Sequence, residues 1–154
     1  MSIQSFGILI KSLEDTPQCH SMCENINKLV LTQYMISPIL FFQTNGKTSI
    51  LPQCCQLQQH HAWGFDGVLI STDIETTYVL AQCLKPRKKL FYVYNIEWPN
   101  LSSLKYAELQ KIYQNPEIDL IAKNEEDFKI LERCWSKPKG IVNNFDYKEL
   151  ITLI

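Results

Sequence analysis

Short, almost wholly apolar runs alternate along this chain with stretches whose apolar residues recur at helical spacing. Because the runs are apolar on successive residues, they predict strands covered on both faces, as in a parallel sheet. The helical stretches between them predict the crossovers that parallel strands need. The fold class predicted is α/β: a Rossmann-like, doubly wound, mostly parallel sheet of about six strands with helices on both faces. The predicted strands are residues 6–10, 39–42, 67–71, 89–94, 120–122 and 140–142, and the predicted helices are residues 18–36, 74–84, 104–113 and 125–135.

Three further segments receive local predictions. Asp73 directly precedes a helical stretch and is predicted to be its N-cap. Residues 49–52 form a weak candidate for an edge strand or an irregular segment. Residues 150–154 form an apolar tail, in part helical, that must fold back onto the sheet or meet another chain, which leaves a homodimer through this tail open.

Composition excludes several functional classes. The 154 residues include 15 Lys and Arg against 16 Asp and Glu, so the net charge of −1 gives no broad positive field for nucleic acid or an anionic membrane. No apolar run approaches the roughly 18 residues of a membrane span, and the first residues have no signal-peptide pattern. We therefore expect one cytoplasmic domain over residues 1–154 that binds no nucleic acid and does not span a membrane.

The six cysteines are predicted to be free thiols, because a chain of this length needs no disulfides and has no export signal. Cys19 and Cys23 are four residues apart and would share one helical face. No paired C-x-x-C pattern of a zinc site is present, so no metal is predicted. A soft metal site is the less favoured alternative for one group of residues: Cys54, Cys55, His60 and His61.

Glycine-rich phosphate loops are absent from the sequence. Neither G-x-G-x-x-G nor G-x-x-x-x-G-K-[ST] occurs among the five glycines, and Gly46-Lys47-Thr48 matches only the end of the second pattern. NAD, FAD and P-loop chemistry are therefore disfavoured, and no cofactor is predicted. The segment from His60 to Trp63 is interpreted as a surface turn with one buried indole.

In a doubly wound sheet the ligand site lies at the carboxyl ends of the strands, so the polar residues that follow the predicted strands are the candidates. Glu97 and Trp98 follow the fourth strand and are the most unusual pair, as a general base or sugar-binding carboxylate beside a stacking indole. The alternative is that Glu97 caps a neighbouring helix while Trp98 plugs the end of the sheet. The catalytic candidate is Glu97, and the ligand-binding candidates are Asn45, Ser71, Thr72, Asn95, Trp98, Asn124 and Glu125.

Four segments occur in an order that matches a known enzyme family: residues 66–72 (DGVLIST), 89–98 (KLFYVYNIEW), 119–127 (DLIAKNEED) and 139–146 (KGIVNNFD). Over residues 38–145 the chain resembles the N-terminal, acceptor-side half of a GT-B glycosyltransferase. The resemblance implies that the first segment lies under the acceptor cleft and that the last leads into an interdomain linker. Asn95 stands where many relatives have a histidine, and the resemblance does not extend to the second domain, which in this family binds most of the sugar nucleotide.

The resemblance implies half of a glycosyltransferase, either a split subunit that needs a donor-domain partner or a non-catalytic relative. Its expected ligands are a nucleotide sugar or an acceptor sugar. The alternative from a different class is a small α/β regulatory or protein-binding module that engages a partner protein without catalysis. A complete hydrolase or reductase fits less well, because the sequence has neither a nucleophile elbow nor a glycine loop.

Overall fold

A single parallel sheet organises the computed structural model, which describes residues 4–32, 36–100 and 106–154. Within these residues the sheet has seven strands in the order β3-β2-β1-β4-β5-β6-β7. The Rossmann-like α/β prediction is confirmed, with one strand more than expected. The strands are β1 (Gln4–Ser12), β2 (Ile36–Thr44), β3 (Cys55–Gln58), β4 (Val68–Ser71), β5 (Lys88–Val93), β6 (Ile118–Ala122) and β7 (Gly140–Ile141). The helices are α1 (Pro17–Thr32), α2 (Ile74–Gln82), α3 (Tyr106–Tyr113), α4 (Glu125–Cys134) and α5 (Tyr147–Thr152), with 3₁₀ turns at Gln59–Gly64 and Trp98–Asn100.

The sheet is covered on both faces, which explains why its strands are apolar on successive residues. In β1, Ile8 and Ile10 point into the core beneath α1 and α5, whereas Leu9 points into the opposite core beneath α2, α3 and α4. All four residues of β4 are buried in the same way. Each face of the sheet therefore has its own hydrophobic core, and the central strands contribute side chains to both cores. Within the described residues, no helix has the length and apolar character needed to cross a bilayer.

Two helices, α2 and α4, begin at a polar residue whose side chain caps the helix N-terminus. Asp73 caps α2 as predicted: its carboxylate accepts from the Thr76 amide at 2.7 Å, and the Asp73 amide donates to the Thr76 hydroxyl at 3.2 Å. Asn124 caps α4 by accepting from the Asp127 amide at 2.8 Å. Three acidic residues in the first turn of α4 add favourable charge at the positive end of the helix dipole.

Several predicted boundaries differ from the structure. The predicted end of the first helix at residue 36 is wrong, since α1 ends at Thr32 and Ile36 begins β2 opposite Gln4. Residues 33–35 of that prediction lie outside the described residues, as do residues 104 and 105 of the predicted helix 104–113. Residues 49–52 form an irregular segment, the second of the two alternatives, and not a strand. The edge strand is Cys55–Gln58 instead, and its polar side chains do not give the apolar pattern that predicts a buried strand. Trp63 is 50% exposed, so the buried indole expected in the 60–63 turn is wrong, and Ala62 is the buried residue there.

After β7 the chain reverses direction and returns to the face covered by α1. Asn144 and Phe145 have φ of 45° and 58°, a left-handed pair that is rare outside glycine. The buried Tyr92 hydroxyl stabilises this reversal by donating to the Val142 carbonyl at 2.6 Å and accepting from the Phe145 amide at 3.3 Å. The apolar tail then folds back onto this core, with Leu150 buried and the apolar residues Ile151, Leu153 and Ile154 partly buried.

Candidate ligand-binding site

The strand order places the reversal of connectivity between β1 and β4. The chain leaves β1 towards β2 on one side and leaves β4 towards β5 on the other, so a crevice opens above the carboxyl ends of these two strands. A cavity of about 270 Å³ lies at this point. Its polar lining residues are Lys11, Ser12, Glu14, Thr16, Gln18, Thr72 and Asp73.

Thr72 joins the elements around this cavity. Its hydroxyl donates to the carbonyl of Leu9 in β1 at 2.9 Å, and its own carbonyl accepts from the Gln18 side-chain amide of α1 at 3.1 Å. Thr72 is 4% exposed, and its bond to Leu9 is buried, whereas the bond from Gln18 is partly buried. Ser71, one residue earlier, points to the other face of the strand. It is fully buried and hydrogen-bonds the Thr77 hydroxyl at 2.7 Å, so it holds α2 against β4 and does not reach the cavity.

Two carboxylates share the N-terminus of α2, and one of them, Asp73, lines the cavity. Asp73 caps the helix, and Glu97 accepts from the Ile74 amide at 3.2 Å. Burial raises the pKa of both carboxyls, and the negative charges of Asp73 and Glu75 add to the increase for Glu97. Glu97 therefore makes the helix-capping contact of the alternative interpretation, and it is a partly buried carboxylate whose affinity for a proton is increased by burial.

Trp98 lies on the other side of the sheet from the cavity wall formed by α1. Its ring packs edge-on against Tyr113 at 5.0 Å and Trp135 at 5.8 Å between ring centroids, and Tyr106 stacks on Trp135 at 5.2 Å. The indole thus belongs to an aromatic cluster under α3 and α4. The structure therefore separates Trp98 from the crevice, although Trp98 directly follows Glu97 in the sequence.

The other predicted site residues are spread along the same edge of the sheet. Asn45 and Asn95 are exposed after β2 and β5, Asn124 caps α4, and Glu125 is exposed in the first turn of that helix. Of the predicted ligand-binding residues, Thr72 is the one that lines the cavity at the switch point. The rest of the polar lining lies at the end of β1, in the loop after it, or at the start of α1 and α2. Once a doubly wound strand order is assumed, the best candidates are the residues in or next to the loops at the switch point, and these residues are among them.

A serine, a histidine and an aspartate meet beside the cavity but lack the geometry of a catalytic triad. The Asp15 carboxylate accepts from the Ser49 hydroxyl at 2.8 Å and from the Ser49 amide at 2.6 Å, and it also contacts His20 Nε2 at 2.8 Å. A triad requires serine and aspartate on opposite nitrogens of the imidazole, whereas here both lie at Nε2, with Ser49 at 3.3 Å. The three side chains therefore tie the β2–β3 loop to the β1–α1 loop. They also lower the pKa of Asp15 well below its usual range, first through the bond to His20.

Within the described residues no group of three His, Cys, Asp or Glu side chains is arranged to hold a metal ion. Fold and site together define a Rossmann-like α/β protein with a small polar cavity at its topological switch point. No family model, no curated protein and no solved structure matches this chain.

Proposed function

We propose that this protein is the acceptor-side half of a GT-B-type glycosyltransferase and binds a sugar in the cavity between β1 and β4. It acts as a subunit that needs a donor-binding partner, or as a non-catalytic relative that retains the sugar site. The observation that supports this most directly is the chemistry of the cavity wall. Hydroxyl, amide and carboxylate groups converge there around a small volume, at the position where doubly wound sheets bind ligands.

The charges around the cavity favour an uncharged, hydroxyl-rich ligand. Glu14 and Asp73 line it and Glu75 lies beside it, whereas Lys11 is the cation, and its ammonium is paired with Glu75 at 2.9 Å. This balance repels phosphate, which argues that the nucleotide part of a donor binds elsewhere. Carboxylates accept hydrogen bonds from sugar hydroxyls, and the Gln18 amide and Ser12 hydroxyl can donate or accept.

The volume of the cavity indicates the size of the ligand. At about 270 Å³ it lies just below the roughly 300–1,000 Å³ of sites that enclose drug-sized molecules. One sugar ring fits this description better than an oligosaccharide or a complete nucleotide sugar.

Glu97 is the residue we assign as base in an active assembly. Its carboxylate lies at the N-terminus of α2, next to Asp73 of the cavity wall, and burial raises its pKa. A base with this increase in proton affinity can accept the proton of an acceptor hydroxyl as that oxygen attacks the donor sugar. The bond to the Ile74 amide fixes its orientation. Asn95 is exposed at the end of β5 and supplies no imidazole for this role.

The test is a thermal-shift screen of the purified protein against free sugars, nucleotides and nucleotide sugars. A ligand at 100 times its dissociation constant stabilises the fold by about 2.7 kcal/mol, or roughly 5–11 °C for a chain of this size. Gln18→Ala should reduce the shift, because it removes an amide from the cavity wall. Gln110→Ala is the matched control, since Gln110 is an exposed helical glutamine with one side-chain bond, to Gln114.

A shift with free sugars that is lost in Gln18→Ala and kept in Gln110→Ala supports the proposal. A shift with nucleotides alone would place the donor in this chain and contradict the acceptor-side assignment. No shift with any of these ligands, in a protein that unfolds cooperatively, would favour the alternative function of a protein-binding module.

A further inference from the structure

Two thiols lie side by side on α1, and the proposed sugar chemistry uses neither of them. The sulfurs of Cys19 and Cys23 are 4.0 Å apart, one helical turn from each other. Cys19 is 6% exposed and borders the cavity, whereas Cys23 is fully buried behind it. A nucleophile thus lines the cavity, with a second thiol in position to donate a hydrogen bond to it.

The position of Cys19 in the helix favours its thiolate. It lies in the first turn of α1, where its amide donates to the Thr16 hydroxyl at 3.2 Å and the helix dipole is positive. The Cys23 thiol hydrogen-bonds the Cys19 sulfur, and this contact is the largest influence lowering the pKa of Cys19. The same shared hydrogen, together with burial, raises the pKa of Cys23.

Charged and titratable groups face this pair from several elements. On the cavity side are Lys11 near the end of β1, Glu14 in the following loop and Asp73 at the start of α2. His20 of α1 is near enough to favour the thiolate, and it is bonded to Asp15. Behind the pair lie Tyr147 of α5, which stays neutral at physiological pH because burial raises its pKa, and Cys54, whose pKa burial raises to about 11. The charged side chains near Cys19 therefore lie on the cavity side, whereas the groups behind the pair are neutral at physiological pH.

We propose that Cys19 is a site of reversible S-thiolation by a small neutral or cationic disulfide that enters the cavity. The Cys19 thiolate attacks one sulfur of the reagent, the reagent's S–S bond breaks, and a mixed disulfide forms at Cys19. The leaving thiolate takes up a proton from water, so one reagent disulfide is exchanged for one protein disulfide and one small thiol. This inference does not depend on whether the cavity binds a sugar.

The helix prevents Cys23 from resolving the mixed disulfide. Side chains four residues apart in an α-helix have Cβ atoms about 5–6 Å apart, whereas a disulfide needs about 3.5–4.5 Å. An internal Cys19–Cys23 bond would require the first turns of α1 to unwind, and these turns cover the core through Met22 and Ile26. Cys23 is therefore a positioning residue that donates a hydrogen bond, and the mixed disulfide persists until an external thiol removes it.

The carboxylates around the cavity determine which disulfides react. Glu14 and Asp73 line it and Glu75 is close by, so an anionic reagent such as oxidised glutathione is repelled. Cystamine, a small dication, is attracted. This ordering is opposite to that expected for a thiolate in a basic environment, where an anionic disulfide would react faster.

The experiment uses a Cys54→Ser, Cys55→Ser, Cys134→Ser background, which removes the more exposed thiols. The folded protein is incubated with cystamine from pH 5 to 9, and adducts are located by mass spectrometry. We expect one adduct, at residue 19, that is reversed by a reducing thiol and is absent in Cys19→Ser. The pH midpoint of its rate should lie at least about one unit below that of the same protein unfolded in urea.

Cys23→Ala tests the positioning role, and Cys83→Ala is the matched control, because Cys83 is an equally buried cysteine in the opposite core. The first should raise the pH midpoint of the reaction at residue 19, and the second should leave it unchanged. The proposal is overturned if the adduct forms at Cys23 or Cys83, or if the midpoint equals that of the unfolded chain. It is also overturned by loss of two hydrogens without an adduct, which reports an internal disulfide, or by faster reaction with oxidised glutathione than with cystamine.

Discussion

Replacing Thr72 by valine tests whether the threonine hydroxyl holds the switch point together. Valine has nearly the shape of threonine, so the change removes the bond to the Leu9 carbonyl without creating a cavity. The Thr72 side chain is 4% exposed and the bond is 2.9 Å long, so the carbonyl loses its partner where water cannot easily replace it. An unsatisfied buried acceptor costs about 1–3 kcal/mol. For a chain of this size that corresponds to a melting temperature lower by roughly 2–12 °C.

The assay is thermal unfolding followed by circular dichroism, confirmed by urea unfolding with an unchanged slope. Thr152→Val is the control, because Thr152 also donates to a backbone carbonyl, that of Glu149 at 2.6 Å, but at an exposed position where water can take over. We expect the control to change stability by no more than about 0.5 kcal/mol. If Thr72→Val is no less stable than Thr152→Val, the argument that the buried hydroxyl joins β1 to β4 is refuted.

Three further changes test the capping carboxylate, the loop contact and the chain reversal. Burial raises the pKa of Glu97 above 4.5, so the folded state binds this proton more tightly than the unfolded chain does. The stability of Glu97→Gln relative to the wild type should therefore increase as the pH of urea unfolding is raised from about 4 to 7. A difference in stability that stays constant with pH would contradict this. Asp15→Ala should speed hydrogen exchange of the Ser49 amide, which donates to that carboxylate at 2.6 Å, whereas alanine at the equally exposed Asp66 should not. Tyr92→Phe removes a buried hydroxyl with two backbone partners and should lower the free energy of unfolding by about 1–3 kcal/mol; no loss in chemical denaturation would show that the reversal after β7 does not need it.

The central strands could be predicted from sequence because their environment leaves a clear pattern. The first three residues of β4 are apolar, since two cores bury the strand, and Asp73, two residues after its end, is a strong cap. The edge strand Cys55–Gln58 could not be predicted in this way, because its exposed glutamines resemble a loop. The end of α1 was misplaced because helical spacing of apolar residues continues into Ile36, which belongs to β2.

The candidate site was only partly predictable, since cavity walls come from elements that are distant in sequence. Thr72 was found because it follows a strand at the correct edge. Gln18 was missed because its role depends on how α1 packs over β4, which no local pattern records. Glu97 and Trp98 are adjacent in sequence, yet one bonds the α2 N-terminus and the other joins the aromatic cluster. Their separation follows from tertiary packing after β5.

The central position of β1 has a consequence for how the chain folds. β1 comes first in the sheet's sequence order, but its neighbours begin at Ile36 on one side and at Val68 on the other. During synthesis, one edge of this nine-residue strand, which is apolar over residues 6–10, therefore stays unpaired until β4 has left the ribosome, a condition that favours aggregation of nascent chains. Pairing across so many residues is also slow, because the loop must close before contacts form. The cavity, which exists only where β1 meets β4, is expected to assemble late on the folding pathway.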